Sequence, residues 1–149
     1  MLFVHTITRK IEIMQQTTER IKNILTRYPL SLITLTAISY LSLFSAGDSS
    51  SVELFAHADK LIHFMMYAFF CSILWYEYYR SHLNTNTRKI FWGAIIAPIA
   101  FSGMLEIFQS YFTTYRTGDF LDFAFNTLGV ISATFIGVFV IRPIVGSHA

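Results

Sequence analysis

Residues 118–141 read GDFLDFAFNTLGVISATFIGVFVI, a long apolar run that carries Asp119, Asp122 and Asn126 into its first half. Crossing a bilayer takes roughly 20 predominantly apolar residues in a helix, and this stretch is long enough. At about 100° per residue, Asp119, Asp122, Asn126, Gly129, Ala133 and Gly137 share an arc of about 80°. Small residues at every fourth position let helices approach closely in lipid. The polar groups therefore lie on the face that Gly129, Ala133 and Gly137 turn towards neighbouring helices, and not on the face turned to acyl chains.

The rest of the chain has the same character. Of 149 residues, 54% are hydrophobic and 13% charged, with a mean hydropathy of +0.50. Soluble domains carry about 25% charged residues, so the missing charge points to a membrane. Three further apolar runs precede the one quoted: Leu30 to Phe44 behind Pro29, about Leu61 to Tyr79, and Ile90 to Phe112. A backbone in hydrocarbon must satisfy its own hydrogen bonds, which makes these runs helices. The expectation is an all-α fold, a four-helix transmembrane bundle with an N-terminal amphipathic or loosely ordered basic segment. Residues 1–28 form that segment, 29–142 the membrane domain and 143–149 a short tail. Pro98, with Gly93 and Gly103 nearby, marks a kink in the third run. A lone cysteine, Cys71, excludes a disulfide framework or a thiolate zinc site. The net charge of +2 is small and scattered, which excludes a nucleic-acid-binding surface.

The connections carry their charges unevenly. Arg9, Lys10, Arg20, Lys22 and Arg27 precede the first run, and Arg80, Arg88 and Lys89 follow the second. Between the first and second runs stand Asp48, Glu53 and Asp59 against Lys60, and between the third and fourth only Arg116 is basic. The positive-inside rule then places both termini in the cytoplasm of a multi-pass membrane protein. Trp75, Tyr76, Tyr78, Tyr79 and Trp92 fall where a cytoplasmic aromatic belt belongs. Ile7, Ile11, Met14, Ile21 and Leu25 recur at helical spacing among the basic residues, as in a helix lying on the membrane surface.

On this topology the polar residues converge near the non-cytoplasmic face. Asp59, His63 and Tyr67 form one stripe of the second helix, beside Lys60. Glu106 and Gln109, three apart, share a face of the outer half of the third. Arg116 occupies the outer turn, and Asp119, Asp122 and Asn126 open the fourth helix. A charge at a helix centre costs about 2.5–3.5 kcal/mol on insertion scales, so intramembrane ionisable residues mark candidate functional sites. His63, Glu106 and Asp122 are the candidate acid–base groups. Lys60 and Arg116 suit an anionic headgroup, while Asp59, Tyr67, Gln109, Asp119 and Asn126 orient it. Asp59, His63, Glu106 and Asp122 could hold a divalent ion, but Lys60 and Arg116 can neutralise the carboxylates, so no metal is expected, and the sequence leaves any cofactor unknown. No nucleophile elbow, phosphate loop or HExxH motif singles out a reaction.

DKLIHFMMY from Asp59, then Glu106 and Gln109 as ExxQ, then RxxDxxDxxxNxxG from Arg116 to Gly129, resemble the VanZ-like family of small bacterial membrane proteins. The resemblance covers about half of the chain, from Asp59 to Gly137. It implies a four-helix membrane domain of the kind named after an accessory protein of glycopeptide resistance, which lowers susceptibility to teicoplanin. It also implies that Asp59, Lys60, His63, Tyr67, Glu106, Gln109, Arg116, Asp122, Asn126 and Gly129 are the family's recurrent positions. The partners then expected are the lipid bilayer and a lipid-linked envelope intermediate or its anionic headgroup. The alternative is a non-enzymatic binding or scaffold protein whose polar cluster is a ligand site or a helix-packing lock.

Overall fold

The computed structural model describes residues 2–44, 58–81, 86–112 and 120–146, and every one of these except Tyr28 and Asn86 is helical. Five helices follow in order among them: α1 (Leu2–Arg27), α2 (Pro29–Phe44), α3 (Ala58–Ser81), α4 (residues 87–112) and α5 (residues 120–146). Two stretches are long and apolar enough to cross a membrane, Arg88–Tyr111 in α4 and Phe120–Val145 in α5. A third is reached if α1 and α2, bent by 86° at Tyr28, are taken together. Of the four runs read from the sequence, the first corresponds to the 16 residues of α2. The second lies in α3, which has 24 residues but carries Asp59, Lys60, Glu77 and Arg80. The described residues are thus helical apart from Tyr28 and Asn86, and their two or three apolar stretches mark the chain as a membrane protein.

Large apolar side chains point outward throughout. Ile62, Met65 and Phe69 on α3, Met104 and Ile107 on α4, and Leu128, Ile131, Phe135 and Phe139 on α5 are all exposed. A contiguous surface of this kind is unstable in water and stable in hydrocarbon. The interior is the more polar side: Ser102, Gln109, Asp122 and Asn126 are buried there.

The tightest packing joins α3 and α5. Lys60 lies beside Asp122, His63 beside Asn126, Phe64 and Ala68 against Gly129, and Trp75 against Gly137. Positions rise together along both helices, so α3 and α5 run parallel. A Cβ on Gly129 would come to 2.5 Å from the Phe64 carbonyl oxygen and 2.9 Å from the Ala68 nitrogen. On Gly137 it would meet the Trp75 ring at 2.5 Å. Ala133, between them on the same stripe, is completely buried. These small side chains let two backbones meet, which maximises dispersion contact where the hydrophobic effect contributes little.

Beneath the polar end, Tyr67, Phe70 and Cys71 of α3 pack with Ile38, Leu105, Val130 and Ala133. At the opposite end Trp75, Tyr78 and Tyr79 are buried with Ala94, against Tyr28, Val138 and Ile141. Of the aromatic residues assigned to an interfacial belt, only Tyr76 and Trp92 are exposed. For Trp75 the cause is Gly137, whose missing side chain leaves the space that the ring fills.

α4 and α5 each include a π-helical stretch, Phe91–Ile96 and Gly137–Ile141. They are closed by the Ala97 N–H on the Trp92 carbonyl and the Arg142 N–H on the Gly137 carbonyl. Each ends two residues before a proline, Pro98 and Pro143. A proline ring clashes with the carbonyl four residues back and offers it no donor. Widening the preceding turn moves that carbonyl aside, and π-bulges within helices are built this way.

α1 is continuously helical, and its described side chains from His5 to Arg27 are exposed. Of the two readings of the basic segment, the helical one matches the structure. Tyr28 breaks the helix without losing its backbone pairs, because its N–H reaches the Ile24 carbonyl and its carbonyl takes the Leu32 N–H. Pro29 opens α2 where no N–H is needed. The next donors go to a residue the sequence reading did not single out. Glu77, buried on α3, accepts from the N–H groups of Leu30 at 2.8 Å and Ser31 at 3.0 Å, and from the Ser31 hydroxyl at 2.6 Å. A carboxylate on a helix N-terminus satisfies orphan donors and complements the dipole.

Two substitutions check this packing in the purified, detergent-solubilised chain. Gly129→Val should lower the thermal midpoint, an overpacking cost of about 1–3 kcal/mol, whereas Gly93→Ala, with nothing within 4 Å of the new carbon, should leave it unchanged. Glu77→Ala should cost about 2–3 kcal/mol through the buried donors it orphans; an unchanged midpoint would refute the capping role.

Candidate functional site

The first turns of α3 and α5 and the second half of α4 bring polar groups to one level of the molecule. Asn126, on the close-packed face of α5, is the hub. Its amide donates to the Ser102 hydroxyl at 2.8 Å and to Glu106 Oε1 at 3.3 Å, and its Oδ1 lies 3.1 Å from His63 Nδ1. One turn earlier on α5, Asp122 Oδ1 lies 3.4 Å from Lys60 Nζ and Oδ2 lies 3.5 Å from His63 Nε2. Asp59 Oδ1 lies 3.9 Å from the same imidazole nitrogen. His63 is 4% exposed, Asp122 2% and Asn126 1%, while the Asp59 side chain is 54% exposed. The network therefore runs from a solvated rim at Asp59 to a dry interior at Asn126.

Because its amide nitrogen serves two oxygen acceptors, Asn126 presents its carbonyl oxygen to His63. That oxygen needs a donor, so the imidazole carries a proton on Nδ1. Nε2 is left towards Asp59 and Asp122. An oriented histidine between two carboxylates is an arrangement suited to general acid–base chemistry.

Of the sequence candidates, Lys60, His63, Glu106, Asp122 and Asn126 meet in this network, with Asp59 at its rim. Tyr67, one turn below His63, is buried; its hydroxyl has Ser102 and Glu106 as polar neighbours and makes no well-formed hydrogen bond among the described residues. Gln109 turns towards α2, where its amide donates to the Ser42 carbonyl at 2.8 Å. Gly129, Ala133 and Gly137 lie along the α3–α5 contact. Arg116 and Asp119 lie outside the described residues. Ser102 was missed. It stands four residues before Glu106, on the same helix face, and that spacing was the available signal.

The sequence as a whole carries the same signature as the site. The family model for VanZ/LLP1 matches residues 1–142. The chain belongs to the VanZ/LLP1 family. No curated protein and no solved structure matches it. Membership spans α1 to α5 and so includes the N-terminal helix as well as the residues around His63.

The hub role of Asn126 predicts a hierarchy. Asn126→Leu removes an acceptor from His63 and a donor from Ser102 and Glu106, at about 1–3 kcal/mol for a buried group left unpaired. Ser102→Ala removes one neutral bond and should cost about 1 kcal/mol. Thermal melts of the two purified variants should rank them in that order, and equal midpoints would contradict the network.

Proposed function

We propose that this VanZ/LLP1 protein is a four-span membrane protein, N-terminus and C-terminus in the cytoplasm, whose polar network binds or acts on a lipid-linked component of the cell envelope. The observation that supports the reading is the set of charged and amide side chains from three helices meeting at one level of the helix assembly. α2 and α3 complete the spans under this reading: α3 directs Leu61, Ile62, Met65 and Phe69 outward while keeping His63 and Glu77 inside. The excess of Lys and Arg before α2 and after α3 sets the orientation, which puts the network on the non-cytoplasmic side at headgroup depth.

In this reading Lys60 and Arg116 attract the anionic headgroup, Asp59 forms the rim, and Asp119, Tyr67 and Asn126 shape the niche. His63, oriented by Asn126, and the carboxylates Asp122 and Glu106 supply acid–base function at its base. Altered handling of an envelope precursor is also the route by which a member of this family would change susceptibility to a glycopeptide such as teicoplanin.

A second reading is favoured by the saturation of Asn126, whose oxygen and nitrogen both have partners. The network would then be a polar lock that fixes helix register. Comparison of envelope lipids from a deletion strain complemented with wild type, Glu106→Gln or Asp122→Asn separates the two. The binding or catalytic reading requires an altered lipid profile on deletion that wild type restores and the variants do not, at equal protein level and melting temperature. Full complementation by both variants would overturn it, and loss of folding in both would favour the lock.

A further inference from the structure

The geometry points to a divalent transition-metal site formed by Asp59, His63 and Asp122, of the Mn²⁺ or Zn²⁺ class. One ligand atom from each of these three residues lies within 4.8 Å of the others. Two come from one helix at i and i+4, an arrangement that places both on one face, and the third comes from the first turn of the adjacent parallel helix.

The bond at Asn126 selects the chemistry. With Nδ1 directed to the Asn126 oxygen, His63 turns Nε2 towards two carboxylate oxygens at 3.5 and 3.9 Å. Metal-binding histidines use this pattern: the ring nitrogen opposite the ligand atom is held by an oxygen acceptor, which fixes tautomer and ring orientation. Here the acceptor is Asn126, itself fixed by Ser102 and Glu106.

Lys60, expected together with Arg116 to neutralise the carboxylates, sits on Asp122 Oδ1 and leaves Oδ2 turned to His63.

One imidazole nitrogen with two carboxylate oxygens suits Zn²⁺ or Mn²⁺ better than Mg²⁺ or Ca²⁺, which prefer all-oxygen shells. Three protein ligands leave coordination positions open for water or for an anionic oxygen. The site does not depend on the identity of any lipid, so it stands or falls separately from the proposed function.

The test uses the purified full chain in detergent, stripped with chelator and titrated with MnCl₂ or ZnCl₂ alone, followed by calorimetry and, for manganese, by electron paramagnetic resonance. One ion should bind per chain. His63→Gln and Asp122→Asn should weaken binding at least about tenfold, by analogy with the 10–100-fold effects of losing even outer-shell partners. Asp59→Asn, at the exposed rim and therefore harmless to folding, should weaken it as well, while Glu12→Gln on the exposed α1 should not. Failure of the folded wild-type chain to take up either ion, or undiminished uptake by Asp59→Asn, would overturn the proposal.

Discussion

The structure depends on one close approach, that of α5 to the α3 backbone at Gly129. With a Cβ there only 2.5 Å from the Phe64 carbonyl, no other residue allows the two helices this separation. The approach has consequences in both directions along the pair. Towards the chain's polar end it brings Asn126 to His63 and Asp122 to Lys60, contacts that short side chains reach only between neighbouring backbones. Towards the other end it is continued by Ala133 and Gly137, which seat the Trp75 ring. A shift of one turn would place Phe125 or Ala133 where Gly129 stands and separate every polar pair at once. Register and site are therefore set by the same few ångströms.

This coupling explains why a chain with so few charges spends several of them inside. Hydrocarbon outside does not favour association, so helices held by small residues alone could slide along one another. Polar bonds across the contact penalise sliding because each would be left unsatisfied in a low-dielectric interior. The arrangement is inside-out relative to a soluble protein: Phe135, Phe139 and Met65 outside, Asn126, Ser102 and Gln109 within.

Much of this was legible in the sequence because helical periodicity is a local property. The stripe from Asp122 to Gly137, the spacing of Asp59, His63 and Tyr67, and the Glu106–Gln109 pair each predict which residues share a face, and those faces meet. What periodicity leaves out is which atom on one face meets which atom on another. Ser102 is an ordinary serine in an apolar helix until Asn126 is placed beside it, and Gln109 reaches α2, away from the cluster it was grouped with. Trp75, Tyr78 and Tyr79 read as a belt because aromatic residues near a helix end usually are; the space left by Gly137 draws Trp75 inward. The number of spans was the least legible feature, since α2 is short and α3 keeps its ionisable residues at both ends.

The two ends of α3 show how burial alone fails to mark function. Glu77 and Asp122 are equally buried, at 3% and 2% exposure. Glu77 receives three hydrogen bonds of 2.6 to 3.0 Å from uncharged donors of α2, and its charge is matched by a helix dipole that cannot leave. Its role is complete within the fold. Asp122 instead faces a lysine at 3.4 Å and a histidine at 3.5 Å, contacts looser than ordinary charge-assisted hydrogen bonds of about 2.7–2.9 Å. One partner is a long flexible side chain, and the other is held in place through its far nitrogen. A carboxylate arranged in this way can exchange partners without unfolding a helix. That difference in what each carboxylate can release, more than its depth, separates Glu77 from Asp122.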